Sequence, residues 1–298
     1  MRRLLQFLGG LGPSARFHLL MAGAAVFASS LFIGACLGGS IRVAGFPTEL
    51  GGIALIACML VPLPAYWQQK GNIEKRDAAL TIVWALLLSL LLPLPFLVVG
   101  RLHLPLQDAS LAAFDHMVGF STPAVMAWAS HSRIGVALNF SYMLLQPFMV
   151  LAVLVPALAG KPEAKVFLLA NLVGLVIAGS LFMFLPAVGP WFPHRWVADA
   201  LQQECERDLM HLRAPAVYLY SFSIQEAGIV CFPSCHVFWA VISASALWGI
   251  RWMHIPVALL CAMIILSTLT TGWHYLADVL AGLALSAGSI VAARRLAR

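Results

Sequence analysis

The sequence predicts an all-α fold, a polytopic bundle of about eight transmembrane helices. Hydrophobic residues make up 61% of the chain and charged residues only 10%, whereas a soluble domain carries charge on about a quarter of its residues. Apolar runs recur along the 298 residues, and in lipid an open chain satisfies its backbone polar groups by forming helices. The net charge of +6 does not indicate nucleic-acid binding, because the basic residues lie at the ends of apolar runs.

Eight segments have the length and apolar character of membrane spans. They are residues 18–39, 50–66, 78–99, 135–158, 166–186, 235–250, 255–271 and 277–293. The first is expected to be an uncleaved anchor, because its apolar run is too long for a signal peptide. The second is the weakest candidate, since it is short and ends in Pro62-Leu63-Pro64.

Positive charge is divided unequally between two alternating groups of loops. Twelve Lys and Arg residues lie in the short loops on the side of the two termini, and six lie in the longer loops on the other side. Cytoplasmic loops are enriched in Lys and Arg. We therefore expect an integral protein of a bacterial inner membrane, with both termini in the cytoplasm.

The spans suggest two parts of the chain. We predict an N-terminal pair of helices at 1–77 and a six-span core at 78–298, with long outer loops at 100–134 and 187–234. Loops of this length are typical of active-site segments.

Each outer loop carries a further expectation. Loop 100–134 is expected to contain an interfacial amphipathic helix whose apolar face excludes the polar side chains. That face would hold Leu111, Phe114 and Val118, and would exclude Asp108, Asp115 and His116. Loop 187–234 contains Cys205 and Cys231, and the sequence is equally compatible with a disulfide between them on an oxidising side and with two free thiols.

Residues suited to catalysis lie at three span edges, all on one side under this topology. They are the segments Phe232–His236, Thr271–Asp278 and Leu185–Arg195. His274 and Asp278 are spaced i, i+4, so on a helix they would share a face, and the carboxylate would fix one ring nitrogen of the histidine.

The segment around His236 adds a second histidine and a helix start. His236 follows Pro233-Ser234, and a helix start offers unpaired N–H groups that bind phosphate. One histidine that attacks phosphorus and another that protonates the leaving oxygen would form a phosphoryl-transfer site.

These two segments form a paired motif. It reads Pro233-Ser234-Cys235-His236, followed by Gly272-Trp273-His274-Tyr275-Leu276-Ala277-Asp278-Val279-Leu280-Ala281-Gly282. With this pair the chain resembles the type 2 phosphatidic acid phosphatase superfamily, and within it the inositol phosphorylceramide synthase-like branch. The resemblance covers residues 232–285 and implies a six-helix core at 78–293.

The resemblance implies a role for each matching residue. His274 would be the nucleophile that forms a phosphohistidine, Asp278 would orient it, and His236 would be the general acid. Ser234, with the backbone of Cys235 and His236, would hold the phosphate oxygens. No metal or other cofactor is expected, and the partners would be membrane lipids.

The chain departs from the phosphatase branch in its arginines. The Lys-x6-Arg-Pro motif is absent, and Ser267-Thr268 stands where a Ser-Arg pair is typical. Arg195, with His194 beside it, is a candidate to bind the anion, and equally a loop residue close to headgroups. The missing arginines favour a lipid phosphotransferase over a simple phosphatase of phosphatidic acid or polyprenyl diphosphate.

Two other classes of protein compete with the enzyme. A transporter or lipid binder would keep the histidines for recognition, but broken helices in corresponding halves are lacking. A haem protein would need histidines facing one another inside spans, whereas these lie at span edges. We therefore expect an enzyme with its active site on the extracytoplasmic face; donor lipid and acceptor (water, a lipid hydroxyl or a sugar alcohol) stay open.

Overall fold

The structure confirms the all-α fold class. It is a computed structural model that describes residues 12–43, 59–194, 196, 198–220 and 229–298, without the side chain of His194. The helices are α1 (Pro13–Leu37), α2 (Pro62–Gln69), α3 (Ile73–Leu91), α4 (Leu94–Gly100), α5 (Asp108–Met117), α6 (Thr122–Ser130), α7 (Arg133–Tyr142), α8 (Leu145–Leu158), α9 (Glu163–Phe184), α10 (Trp191–His194), α11 (Ala200–Arg213), α12 (Cys235–Leu247), α13 (His254–Thr270) and α14 (Leu276–Leu296).

Five helical segments of the described chain are long and apolar enough to cross a membrane. They are Pro13–Leu37, Ile73–Gly100, Glu163–Phe184, Arg251–Thr270 and Leu276–Leu296. Each overlaps one of the predicted spans. The pair α7 and α8 makes a sixth if the two helices are counted as one bent span.

The other three predicted spans do not appear as single long helices in the described residues. Span 135–158 is broken, with α7 and α8 bent by 53°, because Pro147 has no N–H to donate to the carbonyl of Met143. Span 235–250 corresponds to α12, which has only 13 residues. Of span 50–66, residues 50–58 lie outside the described residues, and the rest contains the start of the short helix α2.

Helix α12 lies at the centre of the bundle. It packs against α8, α9, α13 and α14, and Phe238 and Ile242 on it are fully buried. Gly174 on α9 makes room for this packing, because a Cβ there would lie 2.1 Å from the Phe238 ring. Helix α1 packs against α3 and α4, and the division of the chain at residue 77 stays a prediction.

The longer loops, which carry six of the Lys and Arg residues, contact one another. Strand β1 (Ile41–Val43) pairs in parallel with β2 (Tyr218–Tyr220), with Ile41 opposite Tyr218. Arg101 Nη1 donates to the carbonyls of Leu212 and Ala214, at 2.8 and 2.9 Å. These contacts join the connections after α1, after α4 and after α11 at one end of the bundle.

The loops of the other group also meet. Lys165 forms an ion pair with Asp77 at 3.0 Å, and Lys161 donates to the carbonyl of Gly249 at 2.7 Å. The contacts therefore divide the loops into the two groups that alternating spans predict. Which group faces the cytoplasm stays a prediction.

Helix α5 forms within loop 100–134, and it buries acidic residues of its polar side against the protein. A location of its apolar face at the membrane interface stays a prediction. Its buried residues are Asp108 and Asp115, at 3% and 5% exposure, whereas Val118 just beyond it is 50% exposed. The carboxylates are buried because backbone N–H groups of the bundle bind them, which offsets the loss of water.

Candidate active site

The start of α12 and the start of α14 meet directly. The N–H of Ser234 donates to the carbonyl of Asp278 at 3.1 Å. Gly282 permits this approach, because a Cβ there would lie 2.7 Å from the carbonyl oxygen of Ser234. The last glycine of the downstream motif thus has a packing role that the sequence does not reveal.

Asp278 and His274 are in contact and buried. His274 Nδ1 lies 3.2 Å from Asp278 Oδ2, and the two side chains are 5% and 0% exposed. The same oxygen accepts from the N–H of Tyr275 at 2.9 Å and from the thiol of Cys231 at 3.1 Å. Because Nδ1 faces the carboxylate, Nε2 is the ring nitrogen left for a substrate.

The contact between His274 and Asp278 does not arise from a shared helical face, as the sequence had predicted. Tyr275 is the N-cap of α14, so His274 precedes the helix and does not share a helical face with Asp278. The carboxylate of Asp278 instead folds back over the helix start to reach the residues before it. The i, i+4 spacing therefore indicated the correct pair for a reason that does not apply.

His236 lies on the opposite side of the site, as the second residue of α12. Its ring centroid is 6.0 Å from that of His274. Tyr142 stacks on it at 4.2 Å with an interplanar angle of 16°, and its hydroxyl lies 3.4 Å from His236 Nδ1. Tyr142 is the last residue of α7, so the break between α7 and α8 delivers it to the site.

The start of α12 has free backbone donors. Ser234 is fully buried, and its hydroxyl accepts from the N–H of Val237 at 3.3 Å, which caps the helix. Helix geometry leaves the N–H groups of Cys235 and His236 without intrahelical partners. Such a helix end attracts anions through these donors and the helix dipole.

The segment after α9 packs against the same site. The Trp191 ring meets that of Trp273 edge to face at 5.4 Å, and the carbonyl of Gly189 lies 3.0 Å from the Tyr275 hydroxyl. The three motif segments are therefore contiguous. Arg195 and the side chain of His194 lie outside the described residues, so the structure does not place the predicted anion-binding pair.

Ser267 and Thr268 replace the expected Ser-Arg pair. The carbonyl of Thr268 accepts from the N–H of His274 at 3.3 Å, but the two hydroxyls bond within their own helix. Both are fully buried in α13, and their hydroxyls donate to the carbonyls of Ile264 and Ile265 in the same helix. Among the hydrogen bonds of the described residues, none joins a lysine or arginine to His236, His274 or Asp278.

A model of the PAP2 superfamily matches residues 109–292, more than half of the sequence. The chain belongs to the PAP2 superfamily. No curated protein and no solved structure matches it. Membership supports a phosphatase-type enzyme activity and an integral membrane location for this PAP2 protein. The match runs from α5 into α14 and so includes every described residue of the site except Asp108, which lies one residue before it.

Sequence reasoning missed several side chains at the site of this PAP2 protein: Asp108, Asp115, Tyr142, Cys231 and Tyr275. Cys231 was considered only for a disulfide, but it and Cys205 are both free thiols. The amphipathic pattern assigned Asp108 and Asp115 to the polar side of α5 and did not indicate that the protein buries them. Asp278 was found because it alone is acidic near the last spans.

Three buried groups come close enough to hold a metal ion. The ligand atoms of Cys231, His274 and Asp278 lie within 4.8 Å of one another. Burial, together with the charge of Asp278, raises the pKa of the Cys231 thiol well above its usual range. A metal would bind the thiolate, whereas in this structure the thiol donates to Asp278 Oδ2; the absence of a metal from the reaction stays a prediction.

Proposed function

We propose that this protein is a lipid phosphotransferase or phosphatase that forms a phosphohistidine on His274. The donor would be a lipid phosphate or a phospholipid headgroup, as in inositol phosphorylceramide synthase-like enzymes. The arrangement that carries the proposal is a buried His274–Asp278 pair facing His236 across the free N–H groups of α12.

In the first step, the phosphate would bind at the start of α12. The N–H groups of Cys235 and His236 would hold its oxygens, beside the hydroxyl of Ser234. His274 Nε2 would attack phosphorus, forming an N–P bond while the P–O bond to the leaving alcohol breaks. Asp278, bound to Nδ1, would stabilise the positive charge that develops on the ring.

His236 would protonate the leaving alcohol. The Tyr142 hydroxyl lies 3.4 Å from Nδ1, and if it donates there, the ring proton of the neutral imidazole is on Nε2. Protonation of the ring for its role as acid then adds a second N–H, and the departing oxygen takes the Nε2 proton. His236 is left neutral and ready to act as a base.

In the second step, an acceptor hydroxyl would attack the phosphohistidine. His236 would remove the hydroxyl proton, a new P–O bond would form, and the N–P bond would break to restore His274. Water as the acceptor gives a phosphatase, and a lipid or sugar hydroxyl gives a phosphotransferase. The buried Ser267-Thr268 pair in place of Ser-Arg supports the phosphotransferase; a phosphatase of phosphatidic acid or polyprenyl diphosphate is the alternative.

The proposed location follows the charge of the loops. The site lies with the loop group that holds six of the Lys and Arg residues, and the termini lie with the group that holds twelve. We therefore place the site on the extracytoplasmic face of a bacterial inner membrane. A cysteine-labelling or protease-accessibility experiment on intact cells, applied to tags at residues 103 and 250, tests this orientation.

The function is tested by offering lipids to the purified protein in nanodiscs. The donors are phosphatidic acid, polyprenyl diphosphate and phosphatidylinositol, each with and without a ceramide or diacylglycerol acceptor. Products are resolved by thin-layer chromatography and mass spectrometry, for wild type, His274→Ala and His116→Ala. His116 is the matched control because it is exposed on α5.

Each outcome selects among the activities. A new phospholipid that needs both the acceptor and His274 supports the phosphotransferase. Phosphate release without an acceptor supports the phosphatase. If wild type and His274→Ala give the same products from every donor, the proposed enzyme activity is wrong, and a lipid binder or transporter is favoured.

A further inference from the structure

Helix α5 turns two carboxylates toward the site. Asp108 and Asp115 are seven residues apart, which is about two helical turns and places them on one face. They are the buried residues of this helix. A buried carboxylate is costly unless donors surround it, so each of them should have a partner that accounts for its burial.

Asp108 binds the loop after α9 and the ring of Tyr275. It accepts from the N–H groups of Val188 and Gly189, at 3.1 and 2.9 Å, and from the Tyr275 hydroxyl at 3.1 Å. Burial raises the pKa of Asp108 despite these hydrogen bonds. The contacts nevertheless fix the Tyr275 side chain against the loop.

Asp115 binds the start of α14. Its two oxygens accept from the N–H groups of Leu276 and Ala277, at 3.0 and 3.2 Å. These are the first two residues of the helix, whose N–H groups lack intrahelical partners. A carboxylate is favoured there by the helix dipole.

The two carboxylates hold the short stretch between the proposed nucleophile and its orienting acid. Tyr275 has its side chain bound to Asp108 and its N–H bound to Asp278. Leu276 and Ala277 are bound to Asp115. His274 precedes this stretch and Asp278 follows it, so the positions of both depend on α5.

We propose that Asp108 and Asp115 are positioning residues, which hold His274 in line for attack, and that Asp115 also occupies the anion-binding end of α14. Because Asp115 already fills that end, the substrate phosphate is directed to the start of α12. This inference rests on the proposed phosphohistidine reaction.

The test compares kcat and KM of wild type, Asp115→Ala, Asp115→Asn and Asp108→Ala in nanodiscs, with His274→Ala as the inactive reference. Rates are divided by the amount of folded protein in each sample, measured as the monodisperse fraction by size-exclusion chromatography, so unfolded protein does not count. Glu204→Gln, an exposed acid on α11, is the matched control.

We expect Asp115→Ala to lower kcat per folded site about 100-fold, since misplacement of a reacting group by about 1 Å has this effect. KM should change less than about threefold, because the substitution leaves the proposed phosphate-binding residues of α12 unchanged. Asp115→Asn keeps one acceptor oxygen, so its kcat should fall only about tenfold. The difference between the two variants then measures the effect of the hydrogen bond that the asparagine retains. The asparagine variant also serves if the alanine variant fails to fold.

The outcomes separate this inference from the proposed function. If wild type turns over and His274→Ala does not, yet the Asp108 and Asp115 variants keep the wild-type kcat per site, the positioning role is overturned. A lower melting temperature with unchanged kcat per site would make α5 a structural support only. If wild type and His274→Ala are equally inactive, the proposed reaction fails, and the positioning role for it fails too.

Discussion

The two helix starts that meet at the site differ in what satisfies them. The first N–H groups of α14, on Leu276 and Ala277, are bound by Asp115. The first N–H groups of α12, on Cys235 and His236, have no intrahelical partner. A helix dipole thus holds a protein carboxylate at the start of α14, and in the proposed reaction it binds a substrate anion at the start of α12. The same local physics serves rigidity in α14 and binding in α12.

The largest effects should distinguish the histidines of the two helix starts. His274→Ala removes the nucleophile and should lower kcat at least about 10⁴-fold. His236→Ala removes only proton transfer and should cost about 10²–10⁴-fold with a natural lipid donor. With a nitrophenyl lipid phosphate, whose leaving group needs no proton, His236→Ala should regain most of its rate of phosphohistidine formation, measured by single-turnover labelling.

The control for both variants is His116→Ala, which should keep the wild-type rate. If the nitrophenyl donor rescues His274→Ala rather than His236→Ala, the roles assigned to the two helix starts are reversed.

The contact between the two helix starts should be nearly as important as the histidines. Gly282→Ala places a Cβ 2.7 Å from the Ser234 carbonyl, a backbone atom that cannot move aside. We expect the site to open and kcat/KM to fall about 100-fold, with a lower melting temperature. Gly288→Ala on the same helix meets nothing within 4 Å and should be neutral or slightly stabilising. Equal behaviour of the two variants would remove the contact as a determinant of the site.

Much of the site could be predicted because its residues are unusual for a membrane span. His236, His274 and Asp278 stand out as titratable groups at the edges of apolar helices. The fold class was equally accessible, since composition and hydropathy decide between membrane and soluble proteins.

The rest depends on partners that local sequence does not specify. The burial of Asp108 and Asp115 is decided by N–H groups 80 or more residues away, whereas an isolated amphipathic pattern places carboxylates in water. Likewise the sequence gives no reason to single out Tyr142, because it stacks on His236 from the end of α7, at the bend between α7 and α8.

A moderate change in KM should test whether the substrate phosphate binds at the start of α12. Ser234→Ala removes both a cap and a hydroxyl at the site, and should raise KM about tenfold and weaken inhibition by inorganic vanadate. It should also lower stability by about 1 kcal/mol. Ser121→Ala removes a comparable cap from α6 and should lower stability without changing the vanadate inhibition constant. Equal inhibition of both variants would place the phosphate elsewhere.

The smallest effect concerns the thiol that touches Asp278. The pKa of Cys231 is raised by burial and by Asp278, so the folded protein keeps the thiol protonated through neutral pH and up to the ordinary thiol range. Iodoacetamide at pH 8 should therefore leave activity unchanged, and Cys231→Ser should alter kcat less than about threefold. Rapid inactivation at pH 8 that Cys231→Ser abolishes would show a reactive thiolate instead.

The length of α12 bears on which acceptor would reach the proposed phosphohistidine. Thirteen residues span about 20 Å, whereas the hydrocarbon layer is about 30 Å thick. A helix this short cannot bring both ends to bulk water unless the bilayer thins around it. A donor lipid can then present its phosphate while its tails stay among other tails. A site below the level of the lipid headgroups would meet a higher local concentration of lipid hydroxyls and a lower one of water. Competition between the two for the phosphorylated histidine then becomes a matter of depth in the bilayer as much as of recognition.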